Sequence, residues 1–288
     1  LNFITSVVIR RVLQPFLMGL FNEIMLVFDY ARYSHLGIID AMDREMPYFY
    51  GKKDLKKVEQ LKDVGFSVCL IITFLISIGI FIGSLVIKNK QDGMFILGMR
   101  VVSFMIILRM VPSLYIVLNR SQNKFSVISR YTLLTAVFDM AIKIILIVRF
   151  GFHGLLWSFV FTLGAGVVYF YKASKARFKF VLSFAFKEVV DLLKIGFPIF
   201  IMGFIEMTFR NLDRIMIIRL LDREQLGLYT IALMVSVYAL QLPNLVYAVF
   251  FPRFYQAYGE RQNISKIKEL FVKPTVIFAC LFPILMGV

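Results

Sequence analysis

The sequence predicts an all-α integral membrane protein with about eight complete transmembrane helices. Apolar residues make up 59% of the 288 residues and charged residues only 18%, whereas soluble chains carry about a quarter charged residues. The apolar residues form long runs, and residues 64–87 hold no charge at all. A run of that length is enough to cross a hydrocarbon core of about 30 Å. The connections between runs are too short for a folded domain outside the membrane.

The apolar runs define the predicted helices in chain order. They cover 16–40, 64–87, 94–118, 127–149, 152–171, 195–220, 226–251 and 272–288, after a remnant at 1–9. The remnant resembles the end of a helix and the last run the beginning of one, so we expect a chain truncated at both ends. Pro112, Pro198 and Pro243 lie within runs and predict kinks. Gly79 and Gly83 are four residues apart and predict a close packing seam.

Basic residues are divided unevenly between alternate loops, which predicts the orientation of the helices. Loops 44–63, 120–130, 172–194 and 253–273 carry 20 Lys and Arg, whereas the opposite ends of the helices carry 7. The basic loops of multi-pass proteins stay on the cytoplasmic side. We therefore expect a multi-pass protein of the inner (cytoplasmic) membrane, with these four loops in the cytoplasm. Because the loops also explain the net charge of +15, a nucleic-acid partner is not expected.

A weak internal repeat predicts two lobes. Shifting the chain by 208 residues aligns the second helix with the eighth, and the matched positions include Arg11 with Arg219, Gly19 with Gly227, Tyr30 with Tyr238, and Gly51 with Gly259. Parallel six-helix repeats of this kind build two-lobed transporters. The predicted domains are an N-terminal lobe at 1–172, an interfacial linker helix at 173–194 and the start of a C-terminal lobe at 195–288. The linker rests on the amphipathic pattern of 179–194, which an extension of the seventh helix explains equally well.

Several charged residues lie inside predicted spans, where each one costs at least about 2.5 kcal/mol. One face of the second helix carries Asn22, Asp29, Arg32, Tyr33, Asp40 and Asp43, and the other charges are Arg109, Asp139, Lys143, Glu206, Arg210, Asp213 and Arg214. These groups can form internal ion pairs that lock helices together, or they can face a water-filled cavity. Polar stripes on three helices favour the cavity. Unpaired arginines would suit an anionic ligand, because guanidinium binds phosphate with two parallel hydrogen bonds.

Signals of enzymatic or metal chemistry are missing from the sequence. His35 and His153 lie far apart, and no His, Cys and Asp cluster has the spacing of metal ligands. No glycine-rich nucleotide-binding loop follows a strand pattern. We therefore predict no catalytic residue, no metal site and no cofactor, and a protein that is not an enzyme.

Two stretches resemble the Wzx-like branch of the multidrug/oligosaccharidyl-lipid/polysaccharide (MOP) exporter superfamily. The first contains Arg44-Glu45-Met46-Pro47-Tyr48 and Gly51-Lys52-Lys53, and the second contains Gly196-Phe197-Pro198, Asp213-Arg214, Leu226-Gly227-Leu228-Tyr229 and Phe251-Pro252-Arg253. The resemblance implies a two-lobed MOP/MATE-like transporter that works by alternating access. It also implies, as substrate, an undecaprenyl-diphosphate-linked oligosaccharide that is flipped across the cytoplasmic membrane for polysaccharide or O-antigen biosynthesis. A polymerase and other polysaccharide-assembly proteins are the implied partners, beside the lipid bilayer.

The sequence therefore favours a flippase and assigns roles to eight residues. Arg32, Arg109, Arg210 and Arg214 are the candidate contacts to diphosphate or acidic sugars. Asp139, Lys143, Glu206 and Asp213 would balance these charges or carry a coupling proton. A cation-coupled multidrug antiporter of the same fold is the main alternative. A membrane-embedded glycosyl- or acyltransferase is a more distant one, because it needs a catalytic acid or base in a sizeable loop.

Overall fold

The computed structural model describes residues 2–86, 93–174, 176–181 and 186–237. The elements are α1 (Asn2–Val12), α2 (Pro15–Ala31), a 3-10 helix (Arg32–His35), α3 (Ile38–Gly51), α4 (Leu55–Val86), α5 (Gly93–Ser121), α6 (Phe125–Ala173) and α7 (Phe186–Leu220), then α8 (223–237). The chain divides into two compact units, Leu1–Gly227 and Leu228–Val288. The first unit contains all the features analysed below. The predicted span 272–288, loop 253–273 and Pro243 lie outside the described residues.

Helices α4 and α5 have the character of membrane spans. Among the described residues, these two helices are long and apolar enough to cross a membrane by length and composition alone. The outer half of α4 exposes Phe74, Phe81 and Leu85 and buries Thr73, Ser77 and Ser84. The Ser77 hydroxyl donates to the carbonyl of Ser103 on α5 at 2.7 Å. Small polar side chains inside and large apolar ones outside are the arrangement of helices packed in lipid.

The packing seam seen on α4 lies on a different face from the predicted one. A methyl group added at Gly79 or Gly83 would meet no atom of the described residues within 4 Å, so this part of the chain shows no packing seam at these glycines. The hydroxyl face, with Ser77 and Ser84, packs inward instead. Both residue types are small enough for close helix approach, and only the hydroxyls also gain a hydrogen bond.

The second predicted span is two helices and not one. After α2 ends at Ala31, the chain forms the 3-10 turn and two left-handed residues, Leu36 (φ 48°) and Gly37 (φ 83°), before α3 begins. A Cβ atom at Gly37 would lie 2.1 Å from the carbonyl oxygen of Gly196 on α7, and one at Gly196 would lie 2.0 Å from that of Gly37. Glycine therefore permits both the left-handed turn and the helix contact. The predicted continuous stripe from Asn22 to Asp43 is interrupted at this break.

Helix α6 consists of two arms that meet at Gly151. The residue has φ 56° and ψ −130°, which no helix accommodates. The arms correspond to the predicted spans 127–149 and 152–171, so the separation between these two spans is confirmed. A Cβ atom at Gly154 would lie 2.0 Å from the carbonyl oxygen of Leu146, which shows how closely the chain folds back at the kink.

The segment between α6 and α7 differs from the predicted linker helix at 173–194. Residues 176–181 are not helical. The N–H of Lys179 donates to Asp63 Oδ1 at 2.9 Å, and the N–H of Val181 donates to Ser67 Oγ at 2.9 Å. These backbone donors therefore bond to side chains of α4 and not to backbone carbonyls of their own segment. Residues 186–194 are the first turns of α7. This part of the pattern is therefore an extension of the following helix, which was the alternative to a separate linker helix. The two lobe boundaries stay predictions.

Two apolar clusters form the core, one towards each end of the helices. One cluster contains Ile38, Met42 and Leu114, and the other contains Ile24 and Met105. Both clusters contain residues of α5. The residues around the break between α2 and α3 do not connect the two clusters. A polar layer can therefore lie between them, about midway along α4 and α5.

Candidate substrate-binding cavity

A cavity of about 190 Å³ occupies the polar layer between the two apolar clusters. Its polar lining consists of Arg32, Ser34, His35, Thr73, Arg109 and Ser113, and Ile39, Ile106 and Met110 complete it. The lining comes from the 3-10 turn, α3, α4 and α5. A site near the middle of the membrane-spanning helices is where transporters of repeated helices bind substrate.

The 3-10 turn at the helix break places Arg32, Ser34 and His35 at the cavity. The hydroxyls of Ser34 and Thr73 lie 3.2 Å apart and share a hydrogen bond between the 3-10 turn and α4. Nδ1 of His35 accepts the N–H of Gly37 at 3.1 Å. A neutral imidazole that accepts at Nδ1 carries its proton on Nε2. The same bond satisfies a backbone donor that the interrupted helix leaves without a carbonyl partner.

Three of the four predicted arginines interact with one carboxylate, and two of them, Arg32 and Arg109, line the cavity. Asp29 Oδ1 lies 3.8 Å from Arg32 Nη1, and the aspartate interacts electrostatically with Arg32, Arg109 and Arg214. The Arg109 guanidinium lies 5.8 Å from the centre of the Phe28 ring and is repelled by Arg32. Arg32 is thus not unpaired as predicted. The three arginines nevertheless outnumber the two nearby carboxylates, Asp29 and Asp213, the second of which lies beside Arg214.

Arg214 contributes to this cluster from α7. Its backbone N–H donates to Asp213 Oδ1 at 2.8 Å. Its side-chain Nε is buried and has no hydrogen-bond partner among the described residues. A buried guanidinium donor without an acceptor is costly, and an anionic ligand would supply the missing acceptor.

The neighbouring ion pair on α7 lies outside the cavity. Arg210 donates from Nε at 3.0 Å and from Nη2 at 2.8 Å to the same oxygen of Glu206. The two side chains are 76% and 65% exposed. The structure therefore does not bring Arg210 together with the other three arginines, although the sequence places it one turn from Arg214.

The predicted pair on α6 joins the two arms of that helix. Lys143 Nζ lies 2.7 Å from Asp139 Oδ2, and the hydroxyl of Thr162 on the second arm donates to Asp139 Oδ1 at 3.0 Å. The Lys143 ammonium also lies 4.1 Å from the centre of the Phe159 ring. Both charges are satisfied within α6, which fits a structural ion pair better than a cavity wall.

Aromatic residues connect α7 to the break. The Tyr30 ring meets Phe204 edge-on at 5.5 Å, and its hydroxyl donates to Thr208 Oγ1 at 3.4 Å. Tyr33 makes edge-on contacts with Phe200 at 6.2 Å and Phe204 at 6.3 Å. These contacts hold α7 beside α2, which is what allows Arg214 to act on Asp29.

Sequence reasoning missed the hydroxyls of the cavity and a second part-buried ion pair. Ser34, Thr73 and Ser113 carry no periodic signal, because single hydroxyl residues are common in apolar helices. Arg223 Nε donates to Glu23 Oε2 at 2.7 Å across 200 residues of chain. The prediction had counted Arg223 only as a loop charge. Within the described residues, no three His, Cys, Asp or Glu side chains are grouped so that they can hold a metal ion.

Comparisons with known proteins support the sequence resemblance. The sequence profile of the family described as polysaccharide biosynthesis protein matches residues 50–288. A solved structure of similar fold is an inward-facing multidrug resistance MATE family transporter of the MOP superfamily, with TM-score 0.60 and 15% sequence identity, over 98% of this chain and 70% of that chain. A search of curated proteins returned no match. The predicted all-α integral membrane fold of MOP/MATE type is confirmed.

Proposed function

Since the chain belongs to the polysaccharide biosynthesis protein family, we propose that it flips a lipid-linked oligosaccharide across the inner membrane. Its family and its fold are those of transporters. The substrate we propose is an undecaprenyl-diphosphate-linked oligosaccharide, and Arg32, Arg109 and Arg214 bind its diphosphate. The four basic loops face the cytoplasm, where this substrate is made, and no bond of the substrate is broken. Association with a polymerase and other assembly proteins stays a prediction.

The observation that carries the proposal is that Arg32 and Arg109 line the cavity and that both, together with Arg214, interact electrostatically with Asp29. The arginines come from the 3-10 turn, α5 and α7, so the cluster forms only when these elements pack together. Such an excess of positive charge inside a membrane protein is costly unless a ligand compensates it. A diphosphate offers several acceptor oxygens in the geometry that guanidinium groups prefer. The buried Nε of Arg214 is the donor with the clearest need for such an acceptor.

The charge of the cavity separates this proposal from a multidrug antiporter. The cavity has a volume of about 190 Å³. A diphosphate group fits such a space and the sugars would extend beyond it. A cationic drug would be repelled by the arginines. The MATE structure shares the fold at low identity and does not decide the substrate.

The test is transport of a diphosphate-linked oligosaccharide lipid by the protein in proteoliposomes. Removing a hydrogen bond to a charged group costs about 1.5–3 kcal/mol, so we expect Arg109→Gln and Arg214→Gln each to lower transport by about tenfold or more. Arg210→Gln is the matched control, because its guanidinium lies on the same helix as Arg214 but is exposed and bonded to Glu206. It should retain transport within about twofold, as exposed pairs contribute about 0–1 kcal/mol.

Two results would overturn the proposal. If Arg109→Gln and Arg214→Gln both transport like the unaltered protein, the cavity does not bind the diphosphate. If the unaltered protein ignores the lipid-linked sugar but exports an organic cation in exchange for protons, the multidrug alternative is correct.

A further inference from the structure

Helix α2 and the start of α8 approach each other through two glycines. A Cβ atom at Gly19 would lie 1.7 Å from the carbonyl oxygen of Arg223, and one at Gly227 would lie 1.9 Å from that of Pro15. In both cases the obstacle is backbone, so neither helix can accept a side chain without moving away. The two glycines therefore set the distance between the helices.

The two contacts are related by the internal repeat. A shift of 208 residues converts Pro15 into position 223 and Gly19 into position 227. The contact of Gly19 with Arg223 thus becomes that of Gly227 with Pro15, with the partners exchanged. Reciprocal contacts of this kind are the mark of a two-fold interface. The weak sequence repeat and the glycine contacts of the folded chain therefore identify the same symmetric crossing.

A part-buried ion pair holds the crossing and breaks its symmetry. The Arg223 guanidinium donates to Glu23 at 2.7 Å, and the two side chains are only 25% and 19% exposed. The same guanidinium lies 5.6 Å from the Phe95 ring and 6.0 Å from the Phe16 ring. The repeat places Ile231 opposite Glu23, so the symmetry-related ion pair does not exist. The crossing is therefore symmetric in its glycine contacts and asymmetric in its ion pair.

We propose that Glu23 and Arg223 are positioning residues that hold this crossing closed at the end of the helices opposite the basic loops. Transport then requires the pair to separate and the glycine contact to part, which opens the cavity to the other side. The pair lines a pocket of about 540 Å³, and the role we assign to it is positional, through the contact of α2 with the start of α8. This inference rests on the proposed transport function, but its test does not require the substrate.

The test measures how fast a reporter cysteine in the cavity reacts from each side of the membrane. Ser113→Cys is introduced after Cys69 and Cys280 are replaced by Ala, and a small impermeant methanethiosulfonate is applied to vesicles of either orientation. When Glu23 and Arg223 are unaltered, we expect the reporter cysteine to react with reagent applied from the side of the basic loops. Glu23→Gln and Arg223→Gln should each raise the rate from the opposite side by about tenfold, as a shift of about 1.4 kcal/mol between two states would.

Matched variants separate this role from general destabilisation. Glu206→Gln also breaks an ion pair, but an exposed one, and should leave both rates unchanged. The exchanged pair E23R/R223E should restore the low rate from the opposite side. If Glu23→Gln or Arg223→Gln fails to fold, Gly227→Ala tests the same crossing without a change of charge and should raise the same rate.

The inference is overturned if none of these variants raises the reaction rate from the opposite side. It is also overturned if the exchanged pair reacts like the single variants. Failure of the proposed function looks different, because Arg109→Gln and Arg214→Gln would then leave transport intact while the reporter cysteine still responded to Glu23→Gln.

Discussion

At the scale of residues, two arginines one turn apart on α7 have different surroundings. Arg214 has a buried Nε and acts on Asp29, whereas Arg210 is exposed and bonded to Glu206. The sequence treats them as equivalent, since residues four apart share a helix face. The difference comes from the tertiary structure, because α2 packs beside only part of α7. The sequence could therefore not show that Arg210 lies apart from the other three predicted arginines.

Asp29 carries a negative charge that interacts with all three arginines of the proposed site. We expect Asp29→Asn to lower the apparent melting temperature, because three guanidinium groups then repel one another without compensation. The loss should be roughly 2–4 °C for each kcal/mol. Added inorganic diphosphate should restore the melting temperature of Asp29→Asn more than it raises that of the unaltered protein. Thermal unfolding in detergent with and without diphosphate measures both effects.

The same measurement on Glu206→Gln provides the comparison for Asp29→Asn. That change removes an exposed carboxylate, so neither the melting temperature nor the response to diphosphate should differ from the unaltered protein. An equal response to diphosphate in all three proteins would show that the anion does not bind at Asp29.

At the scale of elements, the sequence predicted where helices lie better than where they break. Long apolar runs fix the positions of α4, α5 and the two arms of α6, because the cost of charge in the bilayer leaves few alternatives. The break at Leu36 and Gly37 lies within such a run, and Gly37 packs there against Gly196, far along the chain. The cavity depends on that break. Its hydroxyls could therefore not be assigned before the tertiary contacts were known.

The ion pair of α6 allows a direct test of a structural role against a coupling role. Asp139→Asn leaves the part-buried Lys143 without its partner and should destabilise the protein by about 1.5–3 kcal/mol. Transport per folded molecule should change little, because Asp139 bonds to Lys143 and Thr162 within its own helix. Thermal unfolding and transport normalised to folded protein give the two quantities.

A double replacement sharpens the test of the α6 ion pair. Apolar residues of similar volume can replace both members of a buried pair at little cost, so Asp139→Leu with Lys143→Leu should be more stable than Asp139→Asn alone. Loss of transport in a double variant of normal stability would instead assign a coupling proton to this pair.

At the scale of the whole molecule, the uneven loop charge and the internal repeat could be predicted from sequence. The contact between the helices that the repeat relates could not. The 208-residue shift identified which helices correspond, but apolar sequences match too easily to show that corresponding residues touch. The reciprocal contacts of Gly19 and Gly227 supply that step. Glu23 and Arg223 are 200 residues apart and have no local signature, so only the folded chain pairs them.

The orientation of the molecule is the last property on which both proposals depend. The positive-inside rule places Lys53, in the turn between α3 and α4, in the cytoplasm, and Arg149, beside the kink of α6, outside. Both side chains are exposed. In intact cells an impermeant maleimide should therefore label Arg149→Cys, whereas Lys53→Cys should be labelled only after the cells are opened. The reverse pattern would place the basic loops outside, and the crossing held by Glu23 and Arg223 would then close the cytoplasmic end of the cavity, where the substrate must enter.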